Sequence, residues 1–123
     1  MVELRRCLDT YALAEIANGN PAFAEYLNAS FVITDITLAE FYSTLLREDE
    51  KTAEYWFRKL ERFSFPVSKE ILKEAMKFRH DHKKSRISFF DAVGYQFSLK
   101  EGYFFVTGDK EFEHFANVEF KKK

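Results

Sequence analysis

The amino-acid sequence predicts an α/β protein in which a mostly parallel sheet of about five strands lies between helices, as a three-layer α/β/α sandwich. Short apolar runs alternate along the chain with segments whose apolar residues recur at helical spacing, an order typical of strands joined by helical crossovers. The 123 residues suit one domain spanning residues 1–123. With 46% hydrophobic and 32% charged residues, and only 4 Gly and 2 Pro, the composition indicates regular structure with few long loops.

The first quarter of the chain predicts one strand and two helices. The strand, over 4–8, carries two arginines in its middle and ends at Asp9. A helix over 10–17 follows, because apolar residues recur there at helical spacing, and the turn sequence NGNP at 18–21 ends it. Proline tolerates the first turn of a helix, so a short helix is predicted over about 21–27.

The middle of the chain predicts two further strands. A β-rich run over 31–36 leads into a helix over 38–48, and a second helix follows over about 51–62. The extended piece over 63–67 contains Pro66, which cannot donate a backbone hydrogen bond. This piece is therefore predicted to be an edge strand.

The last part of the chain predicts two helices and two strands. Ser68 is predicted to cap a helix that fades in the polar run over 80–86. The segment over 88–99 is apolar nearly all round, which is typical of a deeply packed helix. The clearest strand covers 103–106, and after a short helical turn the last strand lies near 118–120.

The charge balance and the single cysteine exclude several classes of protein. A net charge of -1 indicates no polyanion-binding field over the whole molecule, so a nucleic acid would have to be held by local basic patches and by metal. Cys7 is the only cysteine, which excludes an intramolecular disulfide and a cysteine-based metal cluster. The sequence has neither an export signal nor a run of about 18 apolar residues, so we expect a cytoplasmic protein without a membrane partner.

Acidic residues follow the predicted strands. Asp9 ends the first strand, Asp109 comes just after the fourth, and Glu40 lies in the first turn of the helix behind the second. In an open α/β sheet, ligands bind beyond the carboxyl ends of the strands, so these acids are predicted to converge there. Asp91 joins them if the start of its helix points to the same edge.

Clustered carboxylates predict a divalent cation. Two such charges about 4 Å apart repel by about 4 kcal/mol at an effective dielectric constant of about 20, so the cluster needs protons or cations. Oxygen ligands without cysteine or clustered histidine favour Mg²⁺ or Mn²⁺ over zinc. Such an ion activates water and neutralises a phosphate, so phosphodiester hydrolysis fits, with Asp9, Glu40, Asp91 and Asp109 as candidate catalytic and metal-binding residues.

Each acid also has a structural alternative. Thr37 and Glu40 match the capping box, in which the glutamate satisfies an amide at the start of a helix. Asp9 and Asp109 could each cap the helical turn that follows. Asp91 differs, because a carboxylate on an apolar helix is costly if it is buried without a proton or a partner, and this favours a functional role.

Four short motifs carry a resemblance to a known family. They are Leu8-Asp9-Thr10-Tyr11-Ala12-Leu13, Thr37-Leu38-Ala39-Glu40-Phe41, Phe90-Asp91-Ala92-Val93 and Val106-Thr107-Gly108-Asp109-Lys110-Glu111-Phe112. In order, spacing and chain length they resemble the PIN-domain family, and within it the small VapC-type toxins of prokaryotic toxin–antitoxin pairs. The last motif, with its Thr-x-Asp, is the most specific of the four.

The resemblance implies a parallel α/β sandwich whose four acids bind Mg²⁺ or Mn²⁺ for endoribonuclease cleavage of RNA. It also implies a cognate antitoxin protein as partner and a homodimer in the cytoplasm. By the same matching, Thr107 would hydrogen-bond within the site and Thr10 would support Asp9. The Phe-rich helical surface from Lys51 to Met76 is the candidate for antitoxin contact.

Some features leave other interpretations open. Tyr11 stands where the family often has a small polar residue, and Arg5-Arg6 occupies a strand that is usually apolar. Lys83, Lys84 and Arg86 could hold RNA phosphates or form an ordinary solvated turn. The rival functions are a catalytically silent PIN-like module that binds RNA or protein, and a receiver-like phosphoacceptor domain, for which the sequence offers no convincing acidic pair.

Overall fold

A computed structural model describes residues 5–122, and its centre is a sheet of five parallel strands. In chain order these are β1 (Arg6–Leu8), β2 (Phe31–Thr34), β3 (Ser64–Phe65), β4 (Phe104–Thr107) and β5 (Val118–Phe120). Their order across the sheet is β3-β2-β1-β4-β5, and each neighbouring pair is parallel. The predicted sheet is confirmed, although residue 4, where its first strand was expected to begin, lies outside the described residues.

The helices follow the predicted order with small changes of length. They are α1 (Thr10–Ala17), α2 (Glu25–Asn28), α3 (Asp35–Leu46), α4 (Glu50–Leu60), α5 (Lys69–Asp81) and α6 (Phe89–Glu101). The helix expected over 21–27 is a 3-10 turn (Pro21–Phe23) followed by α2. Gly102, at φ 77°, ends α6 in the left-handed conformation that glycine adopts most readily. No helix among residues 5–122 has the length and apolar character that a membrane crossing requires.

Two hydrophobic cores, one on each face of the sheet, make three layers. Leu8 and Val106 point into the first core, where they pack with α1 to α4. Their neighbours Cys7 and Phe105 point the other way, into the core formed with α5 and α6. This alternation along β1 and β4 buries both faces, as a parallel sheet requires. Burial raises the pKa of the Cys7 thiol to about 12, so this side chain is a neutral part of the core.

Two arginines, Arg5 just before β1 and Arg6 at its first position, have specific partners. The Arg5 guanidinium lies 4.3 Å from the ring centroid of Tyr103 and donates to its hydroxyl at 2.9 Å. Arg6 Nε donates to Glu119 Oε1 at 2.9 Å, and its guanidinium lies 5.5 Å from the ring centroid of Tyr26. Cation–π contact and a charged hydrogen bond let both cations border the core.

Helix α3 begins earlier than the capping-box pattern predicted. Thr34, not Thr37, is its N-cap, and its hydroxyl accepts the Thr37 backbone N–H at 3.0 Å. Strand β2 therefore ends at Thr34 rather than at 36, and Glu40 lies in the second turn of the helix. The alternative in which Glu40 caps this helix is wrong, because Glu40 is too far from the helix start.

Candidate active site

Asp9 lies at the carboxyl end of β1, near the middle of the sheet. Its backbone N–H donates to the carbonyl of Val106 at 3.1 Å, which continues the pairing of β1 with β4. Its Oδ1 accepts the N–H of Ala12 at 2.9 Å, so Asp9 is also the N-cap of α1. The residue is only 2% exposed. The capping alternative is therefore correct for Asp9. The same hydrogen bond fixes the carboxylate at the carboxyl end of β1.

Thr107 connects Asp9 to the turn that carries Asp109. It is fully buried at the end of β4, and its side chain is hydrogen-bonded to Asp9. Thr107 Oγ1 also accepts the backbone N–H of Asp109 at 3.0 Å. Asp109 Oδ1 in turn accepts the N–H of Glu111 at 3.0 Å, as the N-cap of the 3-10 turn Lys110–Phe112. The Thr107 side chain thus fixes the positions of Asp9 and of the Asp109 turn relative to each other.

Glu40 reaches the same edge from α3. The hydroxyl of Thr10, the first residue of α1, donates a hydrogen bond to Glu40 Oε1. The resemblance assigned Thr10 to the neighbouring Asp9, whereas its hydroxyl contacts the acid that lies 30 residues further along the chain. Thr10 therefore links α1 to α3, which are in contact.

Asp91 lies in the first turn of α6, with its backbone N–H donated to Ser88 Oγ at 3.1 Å. Ser88 is the N-cap of this helix, and sequence reasoning did not single it out as a site residue. The spacing Ser-x-x-Asp, which is a common start of a helix, is the signal that could have found it. It places the Asp91 side chain at the N-terminal end of α6, where the helix dipole favours negative charge.

Burial and neighbouring carboxylates raise the pKa values of Asp9 and Asp91. Burial is the largest cause that raises the pKa of Asp91 to about 8, and the negative charges of all three other acids act in the same direction. Burial also raises the pKa of Asp9 to about 7, against hydrogen bonds from Thr107 and Ala12. The charges of Glu40 and Asp109 add to the increase for Asp9. Burial raises the pKa of Glu40 as well, against the hydrogen bond from Thr10.

The charges of Asp9, Glu40 and Asp109 all act on Asp91, so the four acids, which come from four different elements, lie near one another. Among residues 5–122, no three Asp, Glu, His or Cys side chains are arranged as a ready-made metal site. The donor chemistry nevertheless fits a hard cation, because all four groups offer oxygen and Mg²⁺ needs only one or two carboxylates beside its waters.

Comparison with known proteins places this geometry in context. A family model of the PIN domain matches residues 6–118, which include all four acids. At the level of sequence, no curated protein matches the chain.

Solved structures show the same fold at low sequence identity. The VapC20 toxin of Mycobacterium tuberculosis, which cleaves the sarcin-ricin loop, has a TM-score of 0.78 at 18% identity, with 95% of this chain and 99% of that chain covered. A toxin–antitoxin complex from Klebsiella pneumoniae has a TM-score of 0.74 at 18% identity, covering 93% and 95%. VapBC2 from Rickettsia felis, bound to a promoter DNA fragment, has a TM-score of 0.73 at 19% identity, covering 96% and 98%.

The family match and the fold agree on the same boundaries. The match runs from the first strand to the start of the last and includes the carboxyl ends of β1 and β4, where Asp9 and Asp109 lie. The chain therefore belongs to the PIN-domain family.

Proposed function

We propose that this protein is an endoribonuclease that depends on Mg²⁺ or Mn²⁺, with Asp9, Glu40, Asp91 and Asp109 as its catalytic and metal-binding acids. The observation that carries the proposal is the electrostatic coupling of Asp91 to all three other carboxylates. Folding brings these acids together although their charges oppose the ionisation of Asp9 and Asp91. Such an arrangement is costly for stability alone, and it is suited to binding a cation.

The four acids would bind the ion, and hydrogen bonds from neighbouring residues would orient the acid side chains. A bound Mg²⁺ or Mn²⁺ would supply a polarised water and charge neutralisation at the scissile phosphate. Thr107 would position Asp9 and the Asp109 turn through its two hydrogen bonds. Thr10 would position Glu40, and the N–H of Ala12 would favour the ionised form of Asp9.

RNA would reach the site across the loop between α5 and α6. Lys83, Lys84 and Arg86 are exposed in this loop, which leads directly into the helix that carries Asp91. Exposed cations of this kind bind the phosphate backbone without reading the base sequence. They would compensate locally for a protein whose net charge is -1.

Metal removal is the direct test of the nuclease proposal. We expect labelled structured RNA to be cleaved in the presence of Mg²⁺ or Mn²⁺, to stay intact with excess EDTA, and to be cleaved again when Mn²⁺ is restored. Cleavage that continues unchanged in EDTA would overturn the metal-dependent mechanism. Metal-independent RNA binding without any cleavage would instead favour the catalytically silent module.

We further propose that the protein is the toxin of a toxin–antitoxin pair, acting in the cytoplasm as a homodimer with an antitoxin partner. One of the similar structures, from Klebsiella pneumoniae, is a toxin–antitoxin complex. The stretch from Lys51 to Met76 exposes three large hydrophobic side chains, at Tyr55, Phe65 and Met76, which suit it to antitoxin contact.

Induced expression in bacterial cells tests the toxin proposal. We expect the wild-type protein to arrest growth, because cleavage of cellular RNA stops translation, and Asp9→Asn at equal protein level to leave growth normal. The measurement is colony formation after induction, with protein level followed by immunoblot. Equal growth of wild-type and Asp9→Asn cultures would contradict a toxin and would leave a housekeeping nuclease as the assignment. Light scattering of the purified protein tests the homodimer.

A further inference from the structure

An aromatic ring lies directly against a glycine between the two loops that carry Asp9 and Asp109. Tyr11 is in the first turn of α1, and Gly108 lies between Thr107 and Asp109. A Cβ atom added at Gly108 would lie 2.6 Å from both Cδ1 and Cζ of Tyr11, and closer still to Cε1. Carbon atoms in folded proteins do not approach this closely, so only glycine allows the contact.

The Tyr11 ring has a second contact, with an aromatic side chain of the first core. The Tyr11 ring packs edge-on against Phe23, with centroids 6.1 Å apart and an interplanar angle of 63°. Phe23 is fully buried in the first hydrophobic core. The Tyr11 ring therefore contacts both a buried aromatic side chain and the backbone of the Asp109 turn, so a shift of the ring would disturb that turn.

Space, and not backbone conformation, requires glycine at position 108. Among the described residues, the glycines with positive φ are Gly19 and Gly102, both at 77°. Gly108 has an ordinary φ, so an alanine there would meet no backbone strain. Its methyl group would instead collide with the Tyr11 ring, and the collision would have to move either α1 or the turn.

We propose that Tyr11 is a positioning residue, whose ring contact with Gly108 sets the distance between Asp9 and Asp109 and thereby the affinity of the acidic site for a divalent cation. This inference rests on the proposed function. Ligand groups must be held within about 0.5 Å of their productive positions, and the ring fills the gap between the two loops that carry these ligands. Changes of such supporting contacts lower metal affinity by about 10- to 100-fold.

The test is a double-substitution cycle read by Mn²⁺ binding, measured by isothermal titration calorimetry at pH 8 without RNA. We expect Gly108→Ala and Tyr11→Ala each to weaken Mn²⁺ binding by about tenfold or more. In the double variant the methyl group occupies the space the ring has left, so Gly108→Ala should have almost no further effect on Tyr11→Ala. Tyr11→Phe keeps the ring and should weaken Mn²⁺ binding much less than Tyr11→Ala does.

Controls separate this positioning role from general destabilisation. Gly19→Ala introduces backbone strain at the far end of α1, so it should lower the melting temperature while leaving Mn²⁺ affinity unchanged. Circular dichroism checks that each variant is folded. If Gly108→Ala alone does not fold, the comparison of Tyr11→Ala with the double variant still gives the result.

Two results would overturn the inference, and only the second would also overturn the proposed function. If wild-type protein binds Mn²⁺ and Gly108→Ala binds it equally well, or the two substitutions act additively, Tyr11 is only a core residue and the proposed nuclease stands. If wild-type protein binds no Mn²⁺, the proposed function fails and this inference fails with it.

Discussion

Asp91→Asn should abolish RNA cleavage and at the same time stabilise the metal-free protein. Cleavage should decrease by at least about a hundredfold, because even supporting groups around a metal are worth about 10- to 100-fold and Asp91 is proposed as a direct ligand. Stability should rise because burial and three neighbouring charges oppose the ionised carboxylate, as its pKa of about 8 indicates. Asparagine has a similar shape and no charge, so it removes this opposition.

The gain in stability depends on pH. At pH 8 we expect Asp91→Asn to increase the free energy of unfolding by on the order of 1 to 3 kcal/mol in EDTA, after allowance for relaxation and solvent screening. At pH 5 the gain should be smaller, because protonating the folded carboxyl costs less as the pH falls, and it should vanish below about pH 4, where both states are protonated. Urea unfolding at both pH values measures the difference.

Asp81→Asn is the matched control for this prediction, because Asp81 is an exposed acid at the end of α5. It should leave both cleavage and the pH dependence of stability unchanged. An Asp91→Asn protein that cleaves RNA at the wild-type rate, or that is less stable than wild type at pH 8 in EDTA, would contradict the assignment of Asp91 to the acidic site.

The sequence predicted the order of strands and helices because each element carries its own local pattern. Strand β4 is a short run of apolar residues, and α6 is apolar nearly all round, so both were recognisable without their neighbours. The start of α3 could not be recognised in this way. Thr34 and Thr37 are both suitable N-caps, and the capping-box pattern favours Thr37. The structure has Thr34 as the N-cap, since β2 ends there in its pairing with Phe65 and the Thr34 hydroxyl accepts the Thr37 backbone N–H.

The positions of the acids followed from a general rule, whereas their hydrogen-bond partners did not. Parallel strands have their carboxyl ends at one edge, so the places of Asp9 and Asp109 could be predicted from the strands that precede them. The bond from Thr10 to Glu40 depends on how α1 packs against α3, and the contact of Tyr11 with Gly108 depends on β1 lying beside β4. Neither the Thr10–Glu40 bond nor the Tyr11–Gly108 contact can be predicted from the spacing of residues in the sequence.

The metal-free protein should be most stable in mild acid and should lose stability as the pH rises from about 4 to 8. Burial and neighbouring charge raise the folded-state pKa of Asp9 to about 7 and of Asp91 to about 8, from ordinary values of 3.8. Between these limits the folded state binds more protons than the unfolded state, so each increase in pH favours unfolding. Below about pH 4 both states are protonated and the stability is fully present.

The expected loss is on the order of a few kcal/mol between pH 5 and pH 8, with the two coupled groups counted together. Urea unfolding in EDTA across this range measures it. Other carboxylates titrate as well, so the informative quantity is the difference in slope between wild type and Asp91→Asn. The Asp91→Asn protein should show a flatter dependence on pH.

Adding Mn²⁺ should reverse the trend, because a cation binds the ionised carboxylates and competes with protons. We therefore expect Mn²⁺ to stabilise the wild-type protein strongly at pH 8 and weakly at pH 5, and to have little effect on Asp91→Asn. The apparent affinity for Mn²⁺ should increase with pH over the interval in which Asp9 and Asp91 release their protons. If Mn²⁺ stabilises the protein equally at both pH values, the ion binds elsewhere. The four acids are then not the metal-binding site.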